Sequence, residues 1–173
     1  MYKLRKFTWN KDGQYLFNLM KNHSEINVFP KQRKLFNIER FCDWICGQLS
    51  GYYHELYMVE DAEEAKGFVL CYDYRIYDGH CMIYGYFEKT ADCAALKKFM
   101  DILIREYPIN KFFIEVTDVE RNFLETALQV GFKKEAVLKK NKYIMGRYYD
   151  LYILSLYTEN GRKKDGSEEC ETE

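Results

Sequence analysis

The sequence predicts a single α/β domain with a mixed, mostly antiparallel sheet that is flanked by about four helices. A length of 173 residues with 47% hydrophobic and 17% aromatic side chains suits one globular core. The dipeptide Asp78-Gly79 lies between two strand-like segments and is a hairpin signal, so these two strands are expected to be antiparallel. Helix and strand patterns alternate in the second half, which indicates a locally parallel pair joined by a right-handed crossover.

The domain is expected to occupy residues 1–157, followed by a polar tail. Residues 158–173 are mostly Gly, Lys, Asp and Glu with almost no apolar side chain. Such a composition cannot bury enough apolar surface to fold, so residues 158–173 are predicted to be disordered.

Two helices and four strands are expected in the first half of the domain. Asn10 and Asn37 are candidate N-caps, because each precedes apolar residues at helical spacing, and Gly51 is the stop signal of the second helix. The loop between these helices, residues 22–36, is the least patterned part of the chain. The strands are expected at residues 2–8, 55–60, 67–74 and 80–87.

The second half is expected to contribute two more helices and three more strands. Asp118 is a candidate cap of the later helix, which Gly131 ends. The last two strands close the sheet through a hairpin near Gly146. The helices are expected at residues 92–107 and 118–130, and the strands at 111–116, 132–138 and 147–157.

Charge and hydropathy patterns exclude several classes of partner. The formal net charge of -1 gives no reason to expect nucleic-acid binding. No apolar run has the length of a membrane span, and no signal peptide follows Met1, so we expect no membrane association and a cytoplasmic protein.

The six cysteines are expected to be reduced, because no secretory signal accompanies them. Cys42 and Cys46 stand four apart on a predicted helix, but no second pair of ligands has the spacing of a zinc site. We therefore expect no metal site and interpret these two cysteines as core residues.

Three segments of the second half carry a family resemblance. Gly85-Tyr86-Phe87 ends a predicted strand, and Leu128-Gln129-Val130-Gly131-Phe132 turns from a helix into a strand. The third segment combines Glu135-Ala136-Val137-Leu138 with Gly146-Arg147-Tyr148-Tyr149-Asp150 in a closing hairpin. In order and spacing these segments resemble the GNAT superfamily of N-acetyltransferases, and in particular its branch related to ribosomal-protein and antibiotic acetyltransferases.

The resemblance implies a transferase that binds acetyl-CoA between two splayed parallel strands, here residues 81–87 and 111–116. An amine, either a small molecule or a protein amino group, would attack the thioester directly, and backbone N–H groups would stabilise the oxyanion. Gly85 either lets the backbone approach the cofactor or is a packing glycine. The alternative function is a non-catalytic binding module that keeps the fold but has lost the coenzyme loop.

The segment Glu88-Lys89-Thr90-Ala91-Asp92-Cys93 stands where relatives carry a glycine-rich loop, and it contains no glycine. Bare backbone amides in that loop and the helix N-terminus hold the pyrophosphate in relatives. Asp92 brings negative charge there, or is simply the N-cap of the long helix. The cofactor-binding residues that the resemblance implies are Gly85, Tyr86, Phe87, Glu88, Thr90, Ala91, Asp92, Cys93 and Asn122.

The helix that follows also departs from the family pattern. Counting back from Gly131 places Glu120 where many relatives have Asn and Ala127 where they have the Tyr that protonates the thiolate. Asn122 stands two residues from the Asn place and either substitutes for that Asn or is a polar residue of the helix start.

A general base is needed because an alkylammonium group must lose a proton before it attacks. His80, on the strand that leads to the splay, is the catalytic candidate, and its alternative role is an exposed surface histidine. Asp73 and Glu88 are weaker candidates.

Finally, relatives often pair through their closing strands, so the apolar face of the last strand around Tyr148 and Tyr152 predicts a homodimer.

Overall fold

The computed structural model describes residues 3–23, 26, 37–51, 53–88 and 93–159. Seven strands and four helices lie in this described part of the chain. The strands are β1 (Lys3–Lys6), β2 (Tyr53–Asp61), β3 (Glu64–Arg75), β4 (His80–Phe87), β5 (Lys111–Thr117), β6 (Lys133–Ile144) and β7 (Arg147–Tyr157). The helices are α1 (Trp9–Asn22), α2 (Ile38–Gly51), α3 (Cys93–Glu106) and α4 (Arg121–Val130).

All seven strands form one sheet in the order β1-β2-β3-β4-β5-β7-β6. Every neighbouring pair is antiparallel except β4 and β5, which run parallel across the α3 crossover. The predicted mixed α/β fold is therefore confirmed. The parallel pair is short: its register begins at His80↔Lys111 and ends at Met82↔Phe113, after which the two strands diverge.

Two helical layers cover opposite faces of the sheet. Gly85 of β4 faces Phe123 of α4, whereas the next residue, Tyr86, contacts His23 at the end of α1. Since successive side chains of a strand point to opposite faces, α1 and α4 lie on opposite sides of the sheet. α2 packs on α1 and β2, and α3 packs on α4 and β1. The largest fully buried side chains include Phe41, Phe68, Phe99 and Phe112.

A buried ion cluster fixes α1 to the edge of the sheet. The guanidinium of Arg5 donates to both carboxylate oxygens of Asp12, at 2.6 and 2.9 Å, and to Glu60 at 2.8 Å. Hydrogen bonds from Arg5 and then from Lys11 hold the pKa of Glu60 below its usual range. Because Asp12 is only 2% exposed, the cluster sets the position of α1 on β1 and β2.

Helix starts agree with the sequence at α2 and differ at α1 and α4. The Asn37 side chain accepts a hydrogen bond from the backbone N–H of Arg40 at 2.9 Å, so the predicted cap is confirmed. α1 begins at Trp9, one residue before the expected cap Asn10, which is therefore wrong. Asp118 is also wrong as a cap, because α4 begins only at Arg121.

The closing hairpin contains a longer β6 than expected. Met145 and Gly146 both have positive φ, 49° and 83°, and form the predicted turn. β6 continues to Ile144 instead of ending at residue 138. An irregularity at Lys140, with φ 48°, shifts its register between Leu138 and Lys142 but does not end the strand. Asp150 stabilises this irregularity by accepting the Lys140 backbone N–H at 2.9 Å.

The two cysteines of α2 are not core residues. Cys46 is exposed and Cys42 is partly exposed, because Phe41 and Ile45 of the same helix point inwards and are fully buried. None of the helices in the described part of the chain combines the length and the apolar character that a bilayer span requires.

Candidate functional site

A cleft of about 260 Å³ opens where β4 and β5 diverge. Residues 84–87 of β4 form one wall, residues 119–123 at the start of α4 form another, and His23 closes the α1 side. The predicted splay of the parallel pair is therefore the place where the cleft forms.

The edge of β4 that faces the cleft has backbone groups outside the sheet ladder. Within the described strands, the β4–β5 register stops at Met82↔Phe113, so residues 83–87 have no ladder partner in β5. Asn122 spans the cleft and donates from Nδ2 to the Phe87 backbone oxygen at 3.3 Å. Backbone N–H and C=O groups at such an edge can pair with an extended, amide-bearing ligand.

Glu120 ties β4 to the start of α4 across the cleft. One carboxylate oxygen accepts the Tyr84 hydroxyl at 2.6 Å, and the other accepts the backbone N–H and the hydroxyl of Thr117 at 2.9 and 3.0 Å. The Glu120 carboxylate thus reaches back across the turn before α4 and binds the backbone N–H three residues earlier. Glu120 is only 8% exposed, so this cluster is a buried part of the cleft wall.

Aromatic and acidic side chains meet on the α1 side of the cleft. The rings of His23 and Tyr86 lie 5.1 Å apart, and the Tyr86 hydroxyl lies 3.4 Å from the His23 ring nitrogens. The Tyr15 hydroxyl donates to Glu88 at 3.4 Å. Burial raises the pKa of Tyr15, and the neighbouring Glu88 raises it further, so Tyr15 stays a protonated hydrogen-bond donor.

Gly85 lies on the cleft wall and packs tightly. A Cβ at this position would meet Phe123 Cε2 at 3.0 Å and Val69 Cγ1 at 3.2 Å. The strand pairs regularly with β3 here, through Val69↔Gly85, so no bulge accounts for the glycine. Of its two expected roles, packing against α4 is the one that the contacts support.

The structure separates the sequence-predicted site residues into those in the cleft and those outside it. Gly85, Tyr86, Phe87 and Asn122 line the cleft, and Glu88 directly follows its β4 wall. Thr90, Ala91 and Asp92 lie outside the described residues. Ala127, in the place of the family tyrosine, is fully buried.

His80 and Cys93 lie elsewhere. His80 stands at the paired end of β4, where its ring contacts Phe113 at 5.3 Å, and it does not line the cleft. Cys93 begins α3, and its thiol donates to the Gln129 side chain at 3.3 Å. Asp73, another candidate base, pairs with Arg75 at 3.3 Å.

Sequence reasoning missed the roles of His23 and Tyr84 and assigned Glu120 only by family position. Thr117 and Glu120 are three residues apart, so their contact across the turn before α4 is local. His23 and Tyr86 are separated by 63 residues, and no local pattern joins them. No group of three or more His, Cys, Asp or Glu side chains among the described residues could hold a metal ion.

The seven-stranded sheet, with its one short parallel pair and four flanking helices, is the GNAT fold of N-acetyltransferases. A spermidine N-acetyltransferase from Vibrio cholerae, in complex with CoA and spermine, superimposes with a TM-score of 0.76 at 16% identity, over 90% of this chain and 95% of that one. An acetyltransferase from Salmonella typhimurium that modifies the N-terminal serine of a 50S ribosomal subunit protein gives 0.72 at 17% identity, over 91% and 95%.

A dodecameric form of the Vibrio cholerae enzyme also superimposes, with a TM-score of 0.75 at 16% identity, over 97% of this chain and 98% of that one. No protein-family profile matches the sequence. No curated protein matches it significantly either. At these identities the solved structures define the fold, and the chemistry has to be argued from the cleft itself.

Proposed function

We propose that this protein is an acetyl-CoA-dependent N-acetyltransferase that transfers an acetyl group to a primary amine. The observation that carries the proposal is the cleft at the splayed parallel pair, whose β4 edge presents backbone groups outside the sheet ladder. Similar folds that were solved with CoA support the cosubstrate.

Acetyl-CoA fits the cleft because its pantetheine arm is an extended chain with two amide groups. These amides would pair with the backbone of residues 83–87, as an added strand pairs with a sheet edge. Asn122 already donates to the Phe87 oxygen and would either hold the arm or yield to it. The pyrophosphate would lie near the loop before α3, where Thr90, Ala91, Asp92 and Cys93 are the expected contacts.

The reaction is a direct acyl transfer. The deprotonated amine attacks the thioester carbonyl carbon, a C–N bond forms, and the C–S bond breaks. Backbone N–H groups at the β4 edge stabilise the negative charge that develops on the carbonyl oxygen. The thiolate leaves and takes the second proton of the attacking nitrogen, so no separate acid is required at the place of Ala127.

Isothermal calorimetry with acetyl-CoA tests the proposal. We expect saturable binding by the full chain, with a thermal shift, and thiol release when an amine is added. No heat and no thermal shift at millimolar acetyl-CoA would favour the non-catalytic module, which the glycine-free loop before α3 also suggests.

The loop itself has a separate test in two substitutions. Asn is as effective a helix cap as Asp and carries no repelling charge, so Asp92→Asn should bind acetyl-CoA more tightly, by about 1 kcal/mol. Ala91→Val should weaken binding, because a β-branched side chain crowds the amides that the phosphates approach. Equal affinity of both variants and the wild type would show that the coenzyme does not reach this loop.

We further propose that two copies associate through the β6–β7 hairpin. Apolar side chains of this hairpin are exposed, among them Leu138, Tyr143, Met145 and Tyr148. Leu151 and Leu154 of β7 are buried, so β6 and the hairpin tip supply the exposed surface, more than β7 does. Light scattering should give the mass of a dimer at tens of micromolar, and a monomeric mass would contradict it.

A cytoplasmic location and the lack of nucleic-acid or membrane partners remain predictions from sequence.

A further inference from the structure

We infer that the α1 side of the cleft is the acceptor site, that it binds an alkylammonium group, and that His23 takes its proton. The inference rests on the proposed function. The site consists of four side chains, here called the acceptor cluster: Tyr15, His23, Tyr86 and Glu88.

The acceptor cluster lies across the splay from α4. His23 and residues 84–87 line the cleft, and Glu88 extends the β4 wall by one residue. Tyr86 and Glu88 alternate with Phe87, so their side chains leave the sheet on the face that α1 covers. An acyl group held along the β4 edge would therefore be reached by an amine from the α1 side.

The chemistry of the cluster suits a primary ammonium group. Glu88 offers a carboxylate directly after the β4 wall, with the Tyr15 hydroxyl 3.4 Å from it. Tyr86 offers an aromatic face, and aromatic faces attract cations. A carboxylate next to aromatic rings and phenol oxygens recognises an alkylammonium and offers little to an acidic ligand.

His23 is the group in the cluster whose ring nitrogens can accept and pass on a proton, as histidine does most often in general acid–base catalysis. Its ring packs against Tyr86, with 5.1 Å between the ring centroids and 58° between the ring planes, which fixes its orientation. In the reaction a ring nitrogen of His23 takes one proton from the ammonium and later releases it to water. The amine nitrogen then attacks the thioester carbon, and the leaving thiolate takes the second proton.

Charged groups from other elements surround the cluster. Lys66 of β3 lies 3.9 Å from the Glu88 carboxylate but 2.8 Å from Glu64, so it neutralises Glu88 only in part. Arg121 faces the cleft from α4, is mostly exposed, and pairs with Glu125 at 2.7 Å. The Glu120 carboxylate is bound by Tyr84 and Thr117. The α1 side thus keeps the carboxylate that a cationic acceptor needs.

The test compares four variants of the full chain with two probes at saturating acetyl-CoA, by the rate of thiol release. Spermidine represents a free aliphatic amine, and a short peptide with an N-terminal serine represents a protein amino group. The variants are His23→Gln and Glu88→Gln in the cluster, with the same changes at His80 and at the exposed Glu106 of α3 outside it.

We expect His23→Gln to lower kcat/KM about 100-fold, the scale of a lost general base, and to remove the fall in rate toward acidic pH. Glu88→Gln should raise the KM of the amine roughly tenfold with kcat nearly kept, because a charged hydrogen bond is lost. Acetyl-CoA affinity should stay unchanged in both variants. The probe with the larger kcat/KM identifies the source of the amine.

Loss of activity in His80→Gln together with an unchanged rate and pH profile in His23→Gln would overturn the assignment while leaving the acetyltransferase itself intact. If the wild type binds no acetyl-CoA or acetylates neither probe, calorimetry with the probes alone tests whether the ammonium site exists. Weaker binding of a probe to Glu88→Gln than to Glu106→Gln then supports the ammonium site. Equal binding to both, or none to the wild type, overturns it.

Discussion

The two ends of β4 are held in different ways, one by β5 and the other by the start of α4. At residues 80–82 the backbone ladder joins the two strands directly. At residues 83–87 the contacts are side-chain hydrogen bonds: the Tyr84 hydroxyl donates to Glu120, and the Asn122 side chain donates to the Phe87 carbonyl. The width of the cleft therefore depends on side chains that span it, whereas the backbone ladder of the sheet joins the two strands at the paired end.

Removing Glu120 should have the largest effect on this arrangement. Glu120→Ala leaves the Tyr84 hydroxyl and the Thr117 donors without their buried acceptor, so the free energy of unfolding should fall by about 3 kcal/mol. Urea denaturation measures it. The control is Glu125→Ala on the outer side of α4, which loses only a pair with Arg121 and should cost under about 0.5 kcal/mol. Equal losses would show that the buried carboxylate does not span the cleft as described.

Adding one methyl group at the splayed end should have the next largest effect. Gly85→Ala places a Cβ 3.0 Å from the Phe123 ring and 3.2 Å from Val69, so these buried side chains must give way, and stability should fall by about 1–2 kcal/mol. Because Phe123 lines the cleft, displacement of its ring should also weaken acetyl-CoA binding.

Gly47→Ala is the matched control for that substitution. A Cβ at Gly47 meets nothing within 4 Å on the exposed side of α2, so alanine should stabilise the protein by about 0.5–1 kcal/mol. Thermal unfolding of both variants should therefore shift in opposite directions. The same sign at both positions would contradict the packing role of Gly85.

Most of the sheet could be predicted from the sequence because its signals are local. The strands at residues 80–87 and 147–157 have the predicted bounds, since alternating apolar residues and the turn signals at Gly79 and Gly146 define them. β6 was predicted too short, because Lys139 and Lys140 at its irregularity resemble a polar loop.

The cleft could be predicted only in part. Its position follows from the splay, and the sequence predicts Gly85 and Asn122 as site residues. The contacts of His23 with Tyr86 and of Tyr84 with Glu120 join residues 63 and 36 positions apart, so periodicity carries no signal for them. For His80 the sequence predicts the correct strand, β4, but the residue lies at the end of β4 that pairs with β5, outside the cleft.

The paired end contains an ion pair whose loss should have the smallest effect. Hydrogen bonds from Lys111 and Ser155 hold the pKa of Glu135 below its usual range. A lowered folded pKa contributes stability above the unfolded pKa of a glutamate, and that stability is lost as pH falls through the folded pKa. Since the Glu135 side chain is 39% exposed, solvent screens the pair, and Glu135→Gln should cost under about 1 kcal/mol at neutral pH.

The check is the pH dependence of urea unfolding. The difference in stability between the wild type and Glu135→Gln should shrink as pH falls below the ordinary glutamate range. A difference that stays constant down to acidic pH would mean that the Lys111 pair does not stabilise the paired end.

The most direct test of the account is an amide NMR titration of the full chain with acetyl-CoA. If the splayed end of β4 binds the cosubstrate, the amide signals of residues 83–87 and 119–123 should shift saturably, while those of residues 80–82 stay nearly unchanged. Saturable shifts confined to other parts of the sheet, or none at millimolar acetyl-CoA, would contradict the central claim that the divergence of β4 and β5 forms the binding site.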